Sequence, residues 1–282
     1  MEYMLVIGGT GRIGRPVVQA LVQAGYPVRV LSRNPEHAKT LLPATVEICQ
    51  GDLQDRNSLR NAMQAIDAIY INLPETLNSK AAMIPEQHGV QNILEAAPRG
   101  ALVMKLSVID ATENPHLTDL TLKFRAEETI RASGHPYMIF RPTWFMDSIP
   151  LVLKYKNFIL YAGTQPSPLY WIAAQDFGKQ VVTALQKRPQ TENRIFNIQG
   201  PDAMTFHDAA RRYAAVVDPG LRIRQIPLWL LRLSGVVSSE VHELYELMAY
   251  YDQRVETFQS EDTWDKLGRP TTTIEQFAGQ KI

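Results

Sequence analysis

Four glycines stand close together near the start of the chain, in the run Gly8-Gly9-Thr10-Gly11-Arg12-Ile13-Gly14. Glycines at this spacing suit phosphate binding when a strand enters them and a helix leaves them. One permits a tight turn, one lets the backbone approach a pyrophosphate, and one lets the helix pack close to the strand. The helix N-terminus adds free N–H groups and partial positive charge. The apolar run from Tyr3 to Ile7 fits a buried strand, and Val17, Val18, Leu21 and Val22 then recur at helical spacing up to Gly25. This context predicts a dinucleotide site; the competing reading is a strand-to-helix turn with no ligand. A nucleotide-triphosphate loop is a poor match. Gly9 and Gly14 have its separation, but Arg15-Pro16 stands where Lys and Ser or Thr are needed.

The end of the second strand bears on which dinucleotide. A carboxylate there, about twenty residues past the glycines, would bind a ribose 2′-hydroxyl. This chain has Ser32-Arg33 instead. Arginine suits a 2′-phosphate through charge-assisted hydrogen bonds, and Arg12 could add a second contact, so NADP(H) is favoured over NAD(H). A solvated surface charge is the alternative for Arg33. Glu36 is better explained by dipole stabilisation in a first helical turn. Asp52 and Leu53, after strand three, either border an adenine ring or, for Asp52, cap the next helix. Leu73 and Pro74 follow strand four and are expected beside the cofactor. Ser107 ends strand five, where it either faces the nicotinamide or caps the strand.

The elements that must position these groups alternate. Strands are predicted at 27–32, 45–50, 68–73, 101–107 and 136–141. Helices are predicted from the cap Asn34-Pro35, and at 55–65, 85–97 and 117–133. Such alternation implies a parallel sheet with right-handed crossovers, an α/β doubly wound fold. After Pro142 the pattern loosens and aromatic residues gather between Trp144 and Trp171. A helix follows at 176–187 and a strand at 194–199, expected to extend the first sheet. Another helix starts near Thr205 or His207-Asp208, and 221–262 reads as mainly helical. The resulting partition is a nucleotide-binding region at 1–142 and a substrate-facing region at 143–282.

Composition narrows the partners. Of 282 residues, 45% are hydrophobic and 21% charged, and 29 basic residues balance 29 acidic ones. That gives no bulk electrostatic case for nucleic acid or an anionic membrane. Cys49 lies in an apolar run and reads as a buried small hydrophobe. No charged and apolar leader precedes the first strand, and no apolar run reaches spanning length; Ile226 to Val237 is short and contains Arg232. A cytoplasmic protein is expected. No metal-ligand spacing occurs, so no metal is expected.

The residues quoted at 8–14, Leu31-Ser-Arg-Asn-Pro35 and Gly51-Asp-Leu53 resemble the NmrA-like branch of the atypical short-chain dehydrogenase/reductases. So do Lys123 with Glu127, Ser133-Gly134, Arg141-Pro142, the segment of Trp171, Ala173 and Asp176, and Asn197 to Pro201 with Thr205-Phe206. The resemblance covers most of the chain and is weakest from about 221 to 250. It implies a Rossmann core, NADP(H) binding and a small C-terminal lobe. It also implies either of two functions: reduction of quinones, dyes or phenylpropanoids, or dinucleotide-dependent regulation of a protein partner without turnover.

Typical short-chain dehydrogenases carry Tyr-x-x-x-Lys on one helix face, the lysine holding the ribose and lowering the tyrosine pKa. If Lys123 is that lysine, Asp119 occupies the tyrosine position. No tyrosine precedes a lysine by four residues. Tyr137 and Arg141 have the spacing on a predicted strand, and Tyr250 and Arg254 lie in the late segment, where packing is the expected role. This departure puts proton relay in doubt but leaves hydride transfer to a quinone-like acceptor open. Lys123 is then either a ribose ligand or an exposed helix lysine, and Asp119 could act as an acid or base only if buried. His88 and His116 are expected near the cofactor face as surface or supporting residues. Trp144, Phe145 and Met146 either line a flat apolar substrate pocket or pack the core.

Overall fold

The computed structural model describes residues 2–75, 81–236 and 238–280. Seven strands form one parallel sheet: β1 (Met4–Ile7), β2 (Val28–Ser32), β3 (Glu47–Gln50), β4 (Ala68–Ile71), β5 (Leu102–Leu106), β6 (Tyr137–Pro142) and, after three short strands of the lobe, β10 (Arg194–Ile198). Their spatial order is β10-β6-β5-β4-β1-β2-β3. The order reverses between β1 and β4, and ligands of such sheets bind beyond the strand ends at that switch point. Every residue of β1, β4 and β5 is buried, which fits strands covered by helices on both faces.

Helices α1 (Gly14–Gln23) and α6 (Ala174–Gln186) cover one face. They approach closely because Gly178 faces Pro16: a Cβ there would lie 2.9 Å from the Pro16 carbonyl oxygen. α3 (Arg56–Ala62), α4 (Val90–Ala96) and α5 (Thr118–Ala132) cover the other face, while α2 (Pro35–Leu41) links β2 to β3. The helix expected at 85–97 is divided. Pro85–Gly89 is a wide π-type turn and only Val90–Ala96 is α-helical. Cys49 is half-buried rather than buried, because β3 is the sheet's edge strand.

The lobe has its own core around the fully buried Trp171, whose indole N–H donates to the Met204 carbonyl at 3.0 Å. Here β8 (Phe158–Ala162) pairs with β7 (Lys154–Tyr155) and β12 (Arg222–Ile226), and β9 (Leu169–Tyr170) pairs with β11 (Ala203–Met204). β12 corrects the helical expectation for its residues: Arg222, Ile223 and Arg224 alternate, so Ile223 packs on the lobe core while both arginines stay exposed. The helices are α7 (Phe206–Val217), capped by Thr205, then α8 (Leu228–Ser234), α9 (Ser239–Gln253), α10 (Glu261–Leu267) and α11 (Ile274–Ala278). Val237, at the end of the most apolar stretch, lies outside the described residues. Among the described residues no helix is long and apolar enough to cross a membrane.

Candidate functional site

The glycine turn sits at the switch point because it is wedged against β4. Gly8 has φ +80°, and a Cβ on it would lie 1.9 Å from the carbonyl oxygen of Asn72, just past β4. A Cβ on Gly14 would lie 2.1 Å from the Gly8 carbonyl oxygen, and Gly9 is hemmed in by Val30 at 3.0 Å. The turn closes through Gly11 N–H to the Gly8 carbonyl at 3.1 Å, followed by Arg15 N–H to the Gly11 carbonyl at 3.0 Å. α1 starts at Gly14 with no side-chain cap from Ile13 and no acid in its first turn. The helix thus supplies no charge compensation of its own at this end, with Thr10 half-buried and Arg12 exposed beside it. A cradle whose glycine Cβ positions are filled by backbone, at an uncapped helix start, fits the diphosphate of a nicotinamide dinucleotide.

Ser32 is absorbed by its own turn: its hydroxyl donates to the Asn34 carbonyl at 3.1 Å and accepts from Asn34 N–H. Asn34 then caps α2 through His37 N–H at 3.1 Å, and Glu36 pairs with Lys39 at 2.7 Å. Arg33 is exposed and has no ion-pair partner among the described residues. Asp52 is not the cap of α3. It accepts from Gln54 N–H at 2.9 Å within its own turn, while Asp55 caps the helix through Asn57 and Ser58 N–H. Leu53 packs near Gly89, and its carbonyl accepts from Asn92 at 2.9 Å. Leu73 is buried and Pro74 exposed, beyond the end of β4.

On α5 the picture changes. Lys123 is buried, not exposed, and its ammonium lies 2.9 Å from Glu86 on the π-type turn. Lys105, on β5, reaches the same carboxylate from the sheet at 3.0 Å. Glu86 and Lys105 are fully buried. Burial pushes the Glu86 carboxyl up, but the two ammonium groups outweigh it and hold it below the usual carboxylate value. Burial likewise pushes Lys123 down, and Glu86, with Asp119 one turn away, more than reverses this. Lys105, deepest of the three, stays below its ordinary value because burial dominates. Beside this triad, Ser107 donates to the buried Glu127, which Arg141 grips through Nε at 3.0 and 3.1 Å. Ser107 thus belongs to a second ion pair at the strand ends. Asp119 is buried.

The aromatic run after β6 splits. Trp144 turns toward the lobe, with its ring 4.8 Å from Phe206 and 5.4 Å from Tyr251. Phe145 turns the other way, 5.6 Å from Phe177 of α6, and is packed against the main core; Met146 is fully buried. Of the three, Trp144 packs on the lobe core, and it and Phe145 are half-buried. Arg254, just past α9, joins lobe to core: it pairs with Asp110 beyond β5 and with Glu256 at 2.8 Å. Glu256 in turn accepts from Thr143 at 2.7 Å and Gln199 at 2.6 Å. A cleft of about 470 Å³ opens between α9 and the β5–α5 loop, lined in part by Asn114, His116, Leu117 and Tyr250. His88 instead accepts from Ile84 N–H at 3.0 Å. Among the described residues no group of side chains could hold a metal.

Sequence reasoning missed Glu86, Lys105, Asn72, Asp110 and Tyr251. One signal was present: Lys105 interrupts Leu102-Val-Met-Lys-Leu106, a run that reads as a covered strand. A charge there demands a buried partner. Which acid would answer it depended on the turn at 85–89.

The model of the NmrA-like family matches residues 2–278. The chain is similar to a NAD(P)H azoreductase of Xenophilus azovorans, 28% identical over 98% of this chain and 96% of that one. It is 30% identical, over 79% of this chain and 77% of the other, to a (4-alkanoyl-5-oxo-2,5-dihydrofuran-3-yl)methyl phosphate reductase of Streptomyces griseus. In fold it is similar to the triphenylmethane reductase of Citrobacter sp. complexed with NADP(H), with a TM-score of 0.72, 19% identity and coverage of 97% and 98% of the two chains.

Proposed function

The chain belongs to the NmrA-like family, and from that premise we propose that it is a cytoplasmic NADPH-dependent oxidoreductase that reduces a quinone-like or aromatic small molecule. The observation that carries this reading is the glycine cradle at the β1/β4 switch point, with its uncapped helix and two exposed arginines. Gly8 to Gly14 would hold the diphosphate. Arg33, assisted by Arg12, would bind the 2′-phosphate, since no carboxylate ends β2. Leu53, Leu73 and Pro74 would border the bound dinucleotide. When bound, the dinucleotide supplies a hydride. Lys123 would orient the ribose, held in place by Glu86, and Trp144 would offer a flat apolar wall to the acceptor. Reductases among its relatives support the reaction class.

A second reading is a dinucleotide sensor acting on a protein partner. It is favoured by one observation: Lys123 is already neutralised by Glu86, and Asp119 stands where a tyrosine would. NADPH oxidation against a panel of quinones and azo dyes separates the two. Turnover of at least one acceptor supports the reductase. Tight NADPH binding with no turnover on any of them would overturn it.

A further inference from the structure

α9 is a fifteen-residue helix with one buried residue, Tyr251 in its last turn. That turn is pinned from three sides. Tyr251 packs edge-on against Trp144, with ring centroids 5.4 Å apart and planes at 75°. The next residue, Asp252, accepts from Gln165 N–H at 2.6 Å and from the Thr164 hydroxyl at 3.0 Å. Arg254 binds Asp110 beyond β5. The three contacts hold Tyr251 against Trp144, which follows β6, with Asp110 beyond β5 and Asp119 of α5 near enough to act on its phenol.

Its surroundings are not those of an ordinary core tyrosine. The neighbouring Tyr250 engages Asp110 and Arg254 with its hydroxyl. Asp110, Arg254 and Asp119 all act electrostatically on the buried Tyr251 hydroxyl. Asp119 is the residue one turn before Lys123, where the Tyr-x-x-x-Lys pattern would have its phenol. Burial, reinforced by Asp110, holds Tyr251 well above the ordinary phenol value, so it remains a neutral O–H donor.

We propose that Tyr251 supplies from the lobe the phenol that α5 lacks, donating a hydrogen bond and then a proton to a carbonyl oxygen of the acceptor bound against Trp144. The proposal rests on the reductase reading above. An acceptor reduced by the two electrons and one hydrogen of a hydride takes its second hydrogen from Tyr251 Oη. The phenolic O–H bond breaks as the acceptor O–H bond forms, and the phenolate regains a proton from solvent water when the product leaves. A neutral donor aimed at the developing negative charge lowers the barrier without first being ionised.

The test is Tyr251→Phe, which keeps the ring on Trp144 and removes one oxygen. Two readouts are needed: steady-state reduction of 2-methyl-1,4-naphthoquinone by NADPH, and binding of the same quinone to the NADP⁺ complex, followed by tryptophan fluorescence. The expected result is a kcat lower by about 100-fold. Quinone binding should weaken about tenfold, as for a lost hydrogen bond, with NADPH affinity unchanged. Unchanged kcat and quinone binding would overturn the proposal. So would loss of NADPH binding together with quinone binding, which would assign Tyr251 to packing alone. If the wild type binds the quinone but never oxidises NADPH, the reductase reading fails; weaker quinone binding by the variant would then still support Tyr251 as the donor, and equal binding would overturn it. A wild type that does not bind the quinone would overturn both.

Discussion

At the β1–α1 turn the backbone is held rigidly and the charges are left open. Gly8 and Gly14 press against carbonyl oxygens, α1 starts uncapped, and Arg12 and Arg33 project into solvent. Around the start of α5 the charges themselves are held. Lys123 and Lys105 share Glu86, while Ser107 and Arg141 share Glu127, and both acids are fully buried. The difference teaches where each region puts its free energy. The turn stores unsatisfied donors and positive potential, which an anion can satisfy. The α5 region satisfies its own charges during folding and offers a ligand a fixed position rather than an unpaired charge.

Breaking the filled side should cost the most. Glu86→Gln leaves two buried ammonium groups facing a neutral amide, and stability should fall by about 3–5 kcal/mol. Urea unfolding of the apoprotein checks this; a loss under ~1 kcal/mol would mean that the triad is solvated. Breaking the open side should spare the fold more than the ligand. Gly14→Ala puts a Cβ into the Gly8 carbonyl, so NADPH affinity should fall at least about 100-fold, about 2.7 kcal/mol, as read by fluorescence titration.

The contrast also has a pH signature. Glu86 sits below the ordinary carboxylate value of 4.5. Its contribution to stability is therefore complete above that unfolded-state value and is lost as pH falls through the lower folded-state value. Acid unfolding monitored by circular dichroism should be steeper below pH 4.5 in the wild type than in Glu86→Gln; parallel curves would contradict the assignment. The smallest effect is expected at Arg33. Arg33→Ala should lower the preference for NADPH over NADH by about tenfold. The fold should change by less than about 0.5 kcal/mol, because the side chain is exposed.

The same contrast explains what the sequence made legible. The cradle is local: strand, glycines and helix follow one another within twenty-five residues, and each glycine's role depends on neighbours close in the chain or on the adjacent strand. The α/β alternation and the existence of the late strand β10 were legible because buried strands and amphipathic helices carry periodicity; its place beside β6 came from the structure. The ion cluster is not local. Glu86 and Lys123 are 37 residues apart, and the acid points inward only because Pro85–Gly89 forms a π-type turn, which periodicity does not announce. Arg254 and Tyr251 meet the core through contacts spanning more than a hundred residues, from a segment that reads as helix but whose partners it does not encode. The two aromatic neighbours Trp144 and Phe145 look equivalent in sequence. Successive side chains leave the end of β6 on opposite sides, one toward the lobe and one toward the core.

The central claim, that the open turn holds NADPH through its phosphates, is tested most directly by titrating NADPH and NADH into the wild-type protein and following intrinsic fluorescence. The account predicts saturable binding of one NADPH per chain, at least about tenfold tighter than NADH. Absence of saturable binding, or equal affinity for the two dinucleotides, would contradict it.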